Sequence, residues 1–158
     1  MTEIHRGRFY ASIDGPFVVF TIGMRINRLR AIHRWPKPAW NTYRMVGHLA
    51  NDPPSGYLGG ELFFYWRGVG MIQYWKDFDA LEKFARDKTR PHLSAWQQLA
   101  AQTANDATFG YWHETYKVAP DEYECIYGSM PRFGLARASN HMEMAARSET
   151  ARSRLDSQ

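Results

Sequence analysis

The stretch that decides the fold reads Val18-Val19-Phe20-Thr21-Ile22-Gly23-Met24-Arg25-Ile26. Every second residue from Val18 to Ile26 is apolar, and small or polar residues fill most of the positions between them. A period of two is typical of a β-strand, because successive side chains point to opposite faces of a sheet. We therefore predict a strand here, with one fully apolar face.

Both helices and strands are predicted after this first strand. In chain order the patterns predict a helix opened by Pro36 and Pro38, strands over 57–66 and 69–75, a helix capped by Asp77 or Asp79, a helix beginning at Pro91, and strands over 109–118 and 123–128. Within the strand over 57–66, the pair Gly59-Gly60 indicates a β-bulge. This order is that of the ferredoxin-like split βαβ sandwich, an α+β fold with a largely antiparallel sheet and helices on one face.

The other face of this sheet also carries apolar side chains, which are costly to leave in water. Two such sheets packed face to face would bury both apolar faces. We therefore expect a homodimer that forms a dimeric α/β barrel. The predicted domain organisation is an irregular N-terminal arm over 1–16, the ferredoxin-like domain over 17–136, and a polar C-terminal tail over 137–158 that forms a solvated helix or frays.

The composition of the 158 residues is that of one globular domain. A net charge of +4 is too small to predict nucleic-acid binding, which needs a clustered basic face. One local cluster is either a solvated loop or a docking surface for carboxylates: Arg25, Arg28, Arg30, His33, Arg34 and Lys37. The aromatic share of 15% indicates either a core rich in rings or a flat aromatic ligand.

The single cysteine, Cys125, excludes an intramolecular disulfide and favours a reducing compartment. The N-terminus lacks the apolar segment of a secretory signal, and no apolar run approaches the length of a membrane span. We therefore expect a cytoplasmic protein with no membrane partner.

Two histidines are the main candidates for chemistry. His113 lies among aromatic residues in the strand over 109–118, and His92 lies on the apolar stripe of the helix that begins at Pro91. Both are expected to face one dry pocket, where they would hold a haem, shuttle a proton or simply pack. His48 either lines the same cavity or lies on a helix surface. Arg132 either clamps a carboxylate at the pocket rim or is a surface residue.

Three segments of the C-terminal half carry a resemblance to known proteins: Trp112-His113-Glu114-Thr115-Tyr116, Tyr123-Glu124-Cys125-Ile126-Tyr127 and Met130-Pro131-Arg132-Phe133-Gly134-Leu135. They resemble the small monooxygenase-like proteins related to the fumagillin-pathway monooxygenase, roughly over residues 17–136. The resemblance implies a dimeric α/β-barrel fold and a monooxygenase-like oxidoreductase that acts on a small apolar or aromatic molecule.

A more distant resemblance is to the C-terminal half of the haem-dependent aldoxime dehydratases. It is carried by Leu81-Glu82-Lys83-Phe84-Ala85, which precedes His92 in the order found in those enzymes. The resemblance implies that His92 is the iron ligand and His113 the acid–base residue. Trp96 would then fix the ring of His92, and Arg132 would bind a haem carboxylate.

These observations leave three functions open. The first is a monooxygenase-like oxidoreductase, either haem-based or free of any cofactor, with His113 as a base that deprotonates a phenol-like substrate. The second is a haem-dependent lyase of the aldoxime dehydratase type. The third is a ligand-binding module without turnover, since one fold hosts many functions.

Overall fold

The computed structural model describes residues 3–30, 47, 49, 51, 53–89, 93, 97, 100–101, 103–104, 106–144 and 150–155. Within these ranges the elements are β1 (His5–Ser12), β2 (Phe17–Ile26), β3 (Tyr57–Tyr65), β4 (Gly68–Trp75), α1 (Phe78–Arg86), β5 (Phe109–Val118), β6 (Tyr127–Met130), α2 (Leu135–Ala138), β7 (Asn140–Glu143) and α3 (Ala151–Leu155). The described residues between 47 and 51 and between 93 and 104 are helical as well.

Four of the strands form the main sheet, in the order β3-β4-β2-β5. All three pairings are antiparallel, and β2 pairs along its length with β4 and β5. The two strands at the edges of the sheet, β3 and β5, each follow a helical segment of the chain. This is the strand order of a ferredoxin-like split βαβ unit, and the predicted α+β fold is confirmed.

One face of the main sheet packs against α1, and we call it the helix face. Val18 and Trp75 are directly opposite each other on β2 and β4, and both are buried together with Leu81 of α1. Helix α1 begins where predicted, because the Asp77 carboxylate accepts a hydrogen bond from the Ala80 backbone N–H at 2.7 Å. Among the described residues, no helix is long and apolar enough to cross a membrane.

A second, three-stranded sheet corrects the prediction for both ends of the chain. Residues 1–16 were expected to be irregular, and residues 137 onward a solvated helix or frayed tail. Instead β1 pairs with β6 on one side and with β7 on the other. The predicted strand over 123–128 is likewise shifted, to Tyr127–Met130. β6 and β7 have only four residues each, and they pair with a strand from a distant part of the chain, so local periodicity does not reveal the pairing. We call this sheet the small sheet.

The small sheet covers part of the second face of the main sheet, which we call the small-sheet face. Its buried core consists of Ala11, Phe17, Tyr74, Leu135 and Ala136. Cys125 is half-buried beside this core, and its thiol accepts a hydrogen bond from the Ala11 backbone N–H at 3.2 Å.

The uncovered part of the small-sheet face carries aromatic rings that lie over glycines. A Cβ atom on Gly23 would lie 2.7 Å from the ring of Trp112, and one on Gly70 would lie 2.6 Å from the ring of Phe63. The Trp112 indole N–H donates to the Tyr65 hydroxyl at 2.8 Å, and that hydroxyl donates to the Met24 carbonyl at 3.0 Å. Rings from both edge strands therefore reach across the glycines of the two central strands.

Strand β3 contains the predicted bulge. Its register with β4 shifts between Tyr57 and Gly59. The shift places Leu58 against the core of the small-sheet face, whereas unbroken alternation along β3 would put it on the same face as Leu62 and Phe64. A bulge reverses the alternation of side chains, and a simple period of two does not anticipate this. Phe64 and Trp66 are exposed, at 83% and 78% of their surface.

Candidate functional site

His113 lies on the helix face of the edge strand β5. It is directly opposite Ile22 on β2, and its ring centroid is 5.7 Å from that of Phe20, with the two planes tilted by 40°. Tyr111 and Thr115 share its face, as the alternation predicted. The imidazole is exposed in the single chain, so a molecule on the helix face can reach it directly.

Three of the predicted site residues lie outside the described residues: His92, Trp96 and His48. The meeting of His92 and His113 in one pocket therefore stays a prediction. Leu93, next to His92, is helical, in agreement with the helix predicted from Pro91.

The centre of the helix face holds a buried polar side chain that the sequence analysis did not single out. Gln73 on β4 is 2% exposed. Its carbonyl oxygen accepts a hydrogen bond from the Trp75 indole at 3.0 Å, and its amide nitrogen donates to the Met71 sulfur at 3.5 Å. A thioether is a weak acceptor, so this amide N–H keeps donor capacity for a better partner. The signal in the sequence is one amide within the apolar alternation Val69, Met71, Gln73 and Trp75.

Tyr57, on the neighbouring strand β3, places a hydroxyl group on the same face of the sheet as this amide. Its ring lies edge-on against Trp75 at 5.2 Å, and its hydroxyl oxygen would be 2.8 Å from a Cβ atom on Gly60, the residue opposite Gln73. Burial raises the pKa of Tyr57 to about 12; the Glu61 carboxylate adds to the rise, and Arg137 opposes it. The hydroxyl is therefore neutral at physiological pH and available as a donor.

Phe20 on β2 lies between the Gln73 amide on β4 and the strand of His113, β5. Phe20 is directly opposite Gln73 on one side and Thr115 on the other. Because neighbouring strands are about 4.8 Å apart, β4 and β5 are separated by roughly 10 Å. The helix face thus carries a buried amide, a phenyl ring and an accessible imidazole on three successive strands, β4, β2 and β5.

Glu114 points away from this site, as predicted from its position between His113 and Thr115. Its carboxylate accepts a hydrogen bond from the Tyr116 hydroxyl at 2.5 Å on the small-sheet face. That hydrogen bond is the main reason why the pKa of Tyr116 is raised. Glu114 therefore does not orient the imidazole of His113.

Arg132 is not brought to His113. It is exposed in the segment after β6, and it lowers the pKa of His141 on β7 through its positive charge. Both β6 and β7 belong to the small sheet, which packs on the face of the main sheet opposite to His113. The structure therefore places Arg132 on the far side of the main sheet from the candidate site.

The described part of the helix face contains no cluster of metal-ligating side chains. In the ranges that the structure describes, no three His, Cys, Asp or Glu side chains are grouped so that they would hold a metal ion. The interior of the helix face beside α1 is filled by Val18, Trp75 and Leu81, and His113 lies at the sheet edge. The predicted iron ligand, His92, lies outside these ranges.

The sequence model of one protein family, described as monooxygenase af470-like, matches residues 17–135. The chain belongs to this monooxygenase family. The matched region contains the whole main sheet with Tyr57, Gln73 and His113, so the predicted monooxygenase resemblance is confirmed. β1 and β7 of the small sheet lie outside the family match.

Several solved structures are similar to this chain in shape. SnoaB, a cofactor-independent oxygenase from Streptomyces nogalater, is 16% identical over 63% of this chain and 90% of its own, with a TM-score of 0.43. The aldoxime dehydratase OxdRE in complex with butyraldoxime is 13% identical over 82% of this chain and 40% of its own, with a TM-score of 0.49. Rv0793 from Mycobacterium tuberculosis is 15% identical over 65% and 94%, with a TM-score of 0.40. No curated protein sequence matches the chain.

Proposed function

We propose that the chain is an oxygenase that transfers one oxygen atom of O₂ to a small, electron-rich aromatic molecule of phenol type, without a resident cofactor. Membership of a monooxygenase family supports the reaction class. The observation that carries the choice of site is the helix face itself, where His113 lies against Phe20 with Gln73 on the opposite side. The substrate ring lies along Phe20, between the amide and the imidazole.

His113 acts as the base in this reaction. An imidazole accepts and releases a proton near neutral pH, which suits it to take a proton from an acidic hydroxyl or ring CH₂ group. Its exposure lets it pass that proton on to water. The neighbouring ring of Phe20 restricts where the substrate can lie relative to the imidazole.

Gln73 stabilises the negative charge that forms on the substrate. Its amide N–H donates to a thioether sulfur. An anionic oxygen is a much stronger acceptor than a thioether. Because the side chain is buried, this hydrogen bond acts in a medium of low dielectric, where it is worth more than in water. The neutral Tyr57 hydroxyl is a further donor on the same face.

The electrons and atoms balance without a further reductant. The substrate anion transfers one electron to O₂, and the two radicals combine to form a hydroperoxide on the substrate carbon. Cleavage of the O–O bond leaves one oxygen atom on the substrate as a carbonyl, and the other departs as water with the two hydrogens that the CH₂ group has lost. The substrate is oxidised by four electrons, and O₂ accepts all four.

Oxygen uptake with an anthrone as probe substrate tests this function. His113→Ala is expected to lower the rate by about 10² to 10⁴, the usual contribution of a positioned base. Glu114→Gln, on the opposite face of the same strand, is the matched control and retains the rate. Equal rates in wild type and His113→Ala would exclude the imidazole as the base.

The haem-dependent functions are distinguished by a spectrum. The protein is purified from cells supplied with haem, and its visible absorption is recorded. The cofactor-free reaction predicts oxygen uptake that does not depend on haem content. A Soret band that disappears in His92→Ala, together with an oxygen-uptake rate that rises with the haem content, would replace this proposal by a haem-based one. Nitrile formation from an aldoxime would then indicate a lyase.

We also propose that the chain forms a homodimer through the uncovered part of the small-sheet face. That area presents Phe63, Tyr65 and Trp112 as half-buried rings and Tyr116 as a half-exposed one. Tyr116→Arg is expected to give a monomer in sedimentation experiments. Tyr111→Arg changes a similarly exposed tyrosine on the helix face of the same strand and should leave the dimer intact. A monomeric wild type would contradict the dimer without affecting the proposed reaction.

A further inference from the structure

Two histidines meet around one phenylalanine in the small sheet. The ring centroids of His5 and His141 are 4.8 Å apart, with the planes at 67°. Phe9 stacks on His141 at 4.4 Å, with only 19° between the planes, and so fixes the orientation of that imidazole. Gly7 has a φ of 106°, and the register of β1 shifts in the same place, so the strand bends and brings His5 back to the cluster.

One nitrogen of this cluster is buried without a partner. Within the part of the chain that the structure describes, Nε2 of His141 has no hydrogen-bond partner, although the atom itself is buried. Buried polar atoms of proteins are nearly always paired, so an exception calls for a specific reason such as an external ligand.

The charges around His141 are positive. Burial lowers the pKa of His141 first, and His5 and Arg132 lower it further. The other titratable groups near it are Tyr127 of β6, whose ring is 6.2 Å away, and Glu143, two residues further along β7 and exposed. None of the charges that shift the pKa of His141 is a carboxylate. Among the described residues, no carboxylate therefore offsets the positive charges of His5 and Arg132 at this imidazole.

We propose that His5, Arg132 and His141 form a binding site for an anionic oxygen group, the carboxylate or phosphate of a small molecule. A protonated imidazole donates from both ring nitrogens, and a guanidinium group donates through a planar fork that matches either anion. An anion here would supply the missing partner of the buried nitrogen and the missing negative charge. The site is separate from the helix face, and two of its three residues lie on strands outside the family match.

Binding of the anion is coupled to proton uptake. An anion favours the charged form of each imidazole, so its affinity rises as the pH falls, by up to about tenfold per pH unit for each proton taken up. Sulfate and acetate are suitable probes, because neither changes its charge between about pH 6 and pH 8, and all of the pH dependence then comes from the protein.

Calorimetric titration of the full chain at constant ionic strength tests the site. Either probe should bind wild type more tightly at about pH 6 than at about pH 8. His141→Gln and Arg132→Gln should each weaken binding about tenfold or more, the worth of one charge-assisted hydrogen bond. Tighter binding of sulfate than of acetate would assign the site to phosphate groups, and the reverse order to carboxylates.

The matched control is Arg8→Gln. Arg8 is also an exposed arginine of the small sheet, but it points away from Phe9 along β1 and should bind anions like wild type. Equal weakening in Arg8→Gln and Arg132→Gln would show a general effect of surface charge and overturn the proposal. So would affinity that is independent of pH, or no binding at all. Arg132 is exposed, so its variant tests the site even if His141→Gln fails to fold.

Discussion

The main sheet and the small sheet place the same kinds of residue in opposite circumstances. On the main sheet, His113 lies 5.7 Å from Phe20 and is exposed. On the small sheet, His141 stacks on Phe9 at 4.4 Å, has a buried nitrogen and has its pKa lowered. The comparison teaches that a histidine beside a phenylalanine has no fixed role. Its access to solvent and its charged neighbours decide whether it is suited to move a proton or to bind an anion.

The largest expected difference between the two sheets is in stability. Trp75 is fully buried between β4 and α1, and Trp75→Ala should lower the free energy of unfolding by about 3–5 kcal/mol. Phe9 is half-buried in the small sheet, and Phe9→Ala should cost roughly half as much. Chemical denaturation of both variants measures this. Equal losses of unfolding free energy would mean that the two sheets contribute equally to the stability of the fold.

The next effect concerns the buried amide of the main sheet. Gln73→Leu should lower kcat/KM for the probe substrate about a hundredfold, because it removes one donor to the developing anion. It also leaves the Trp75 indole N–H without its acceptor, at a cost of about 1–3 kcal/mol of stability. Gln73→Asn keeps an amide group and should recover part of the activity. If Gln73→Leu were folded and fully active, the amide would have no part in the reaction.

A third test compares glycines of the two sheets. Gly23→Ala places a methyl group 2.7 Å from the Trp112 ring, which must move and give up its hydrogen bond to Tyr65. The expected loss of stability is about 1–3 kcal/mol. Gly128→Ala in β6 meets nothing within 4 Å and should be close to neutral. A reversed order, measured by denaturant unfolding, would contradict the described position of the Trp112 ring.

The smallest effect is the pH dependence that comes from His141. Its pKa is lowered in the folded chain, so below the ordinary value of 6.5 the unfolded chain takes up the proton first. The contribution of this group to stability is therefore complete above that value and is lost as the pH falls through the folded pKa. His141→Gln should flatten this acid limb of the melting temperature. An unchanged acid limb would show that the imidazole is equally easy to protonate in both states.

The difference between the two sheets also explains which strands could be predicted from the sequence. The strands of the main sheet were predicted because alternation over eight to ten residues is a local signal, and Asp77 marks its helix by its own side chain. The small sheet was missed because β1 exposes three of its first four residues and its partners lie more than a hundred residues away. Its pairing is decided by tertiary contacts, which override local pattern.

For the candidate site, the sequence identified His113 and its face but not Gln73 or Tyr57. A buried amide differs from a surface amide only in what surrounds it. Gly59-Gly60 indicated the bulge in β3, but the sequence does not show that the Tyr57 hydroxyl lies over Gly60. Of the two alternatives for Arg132, a carboxylate clamp at the pocket rim or a surface residue, its exposed position beside the small sheet favours the second.

The pairing of β1 with β6 and β7 also determines when the small sheet can form during synthesis of the chain. At about 5–20 residues per second, the N-terminal strand waits on the order of ten seconds for its partners to be made. The main sheet needs nothing beyond β5, so it can assemble earlier. A fusion partner attached at either end would therefore interfere first with the closing of the outer layer, and only secondarily with the strands beneath it.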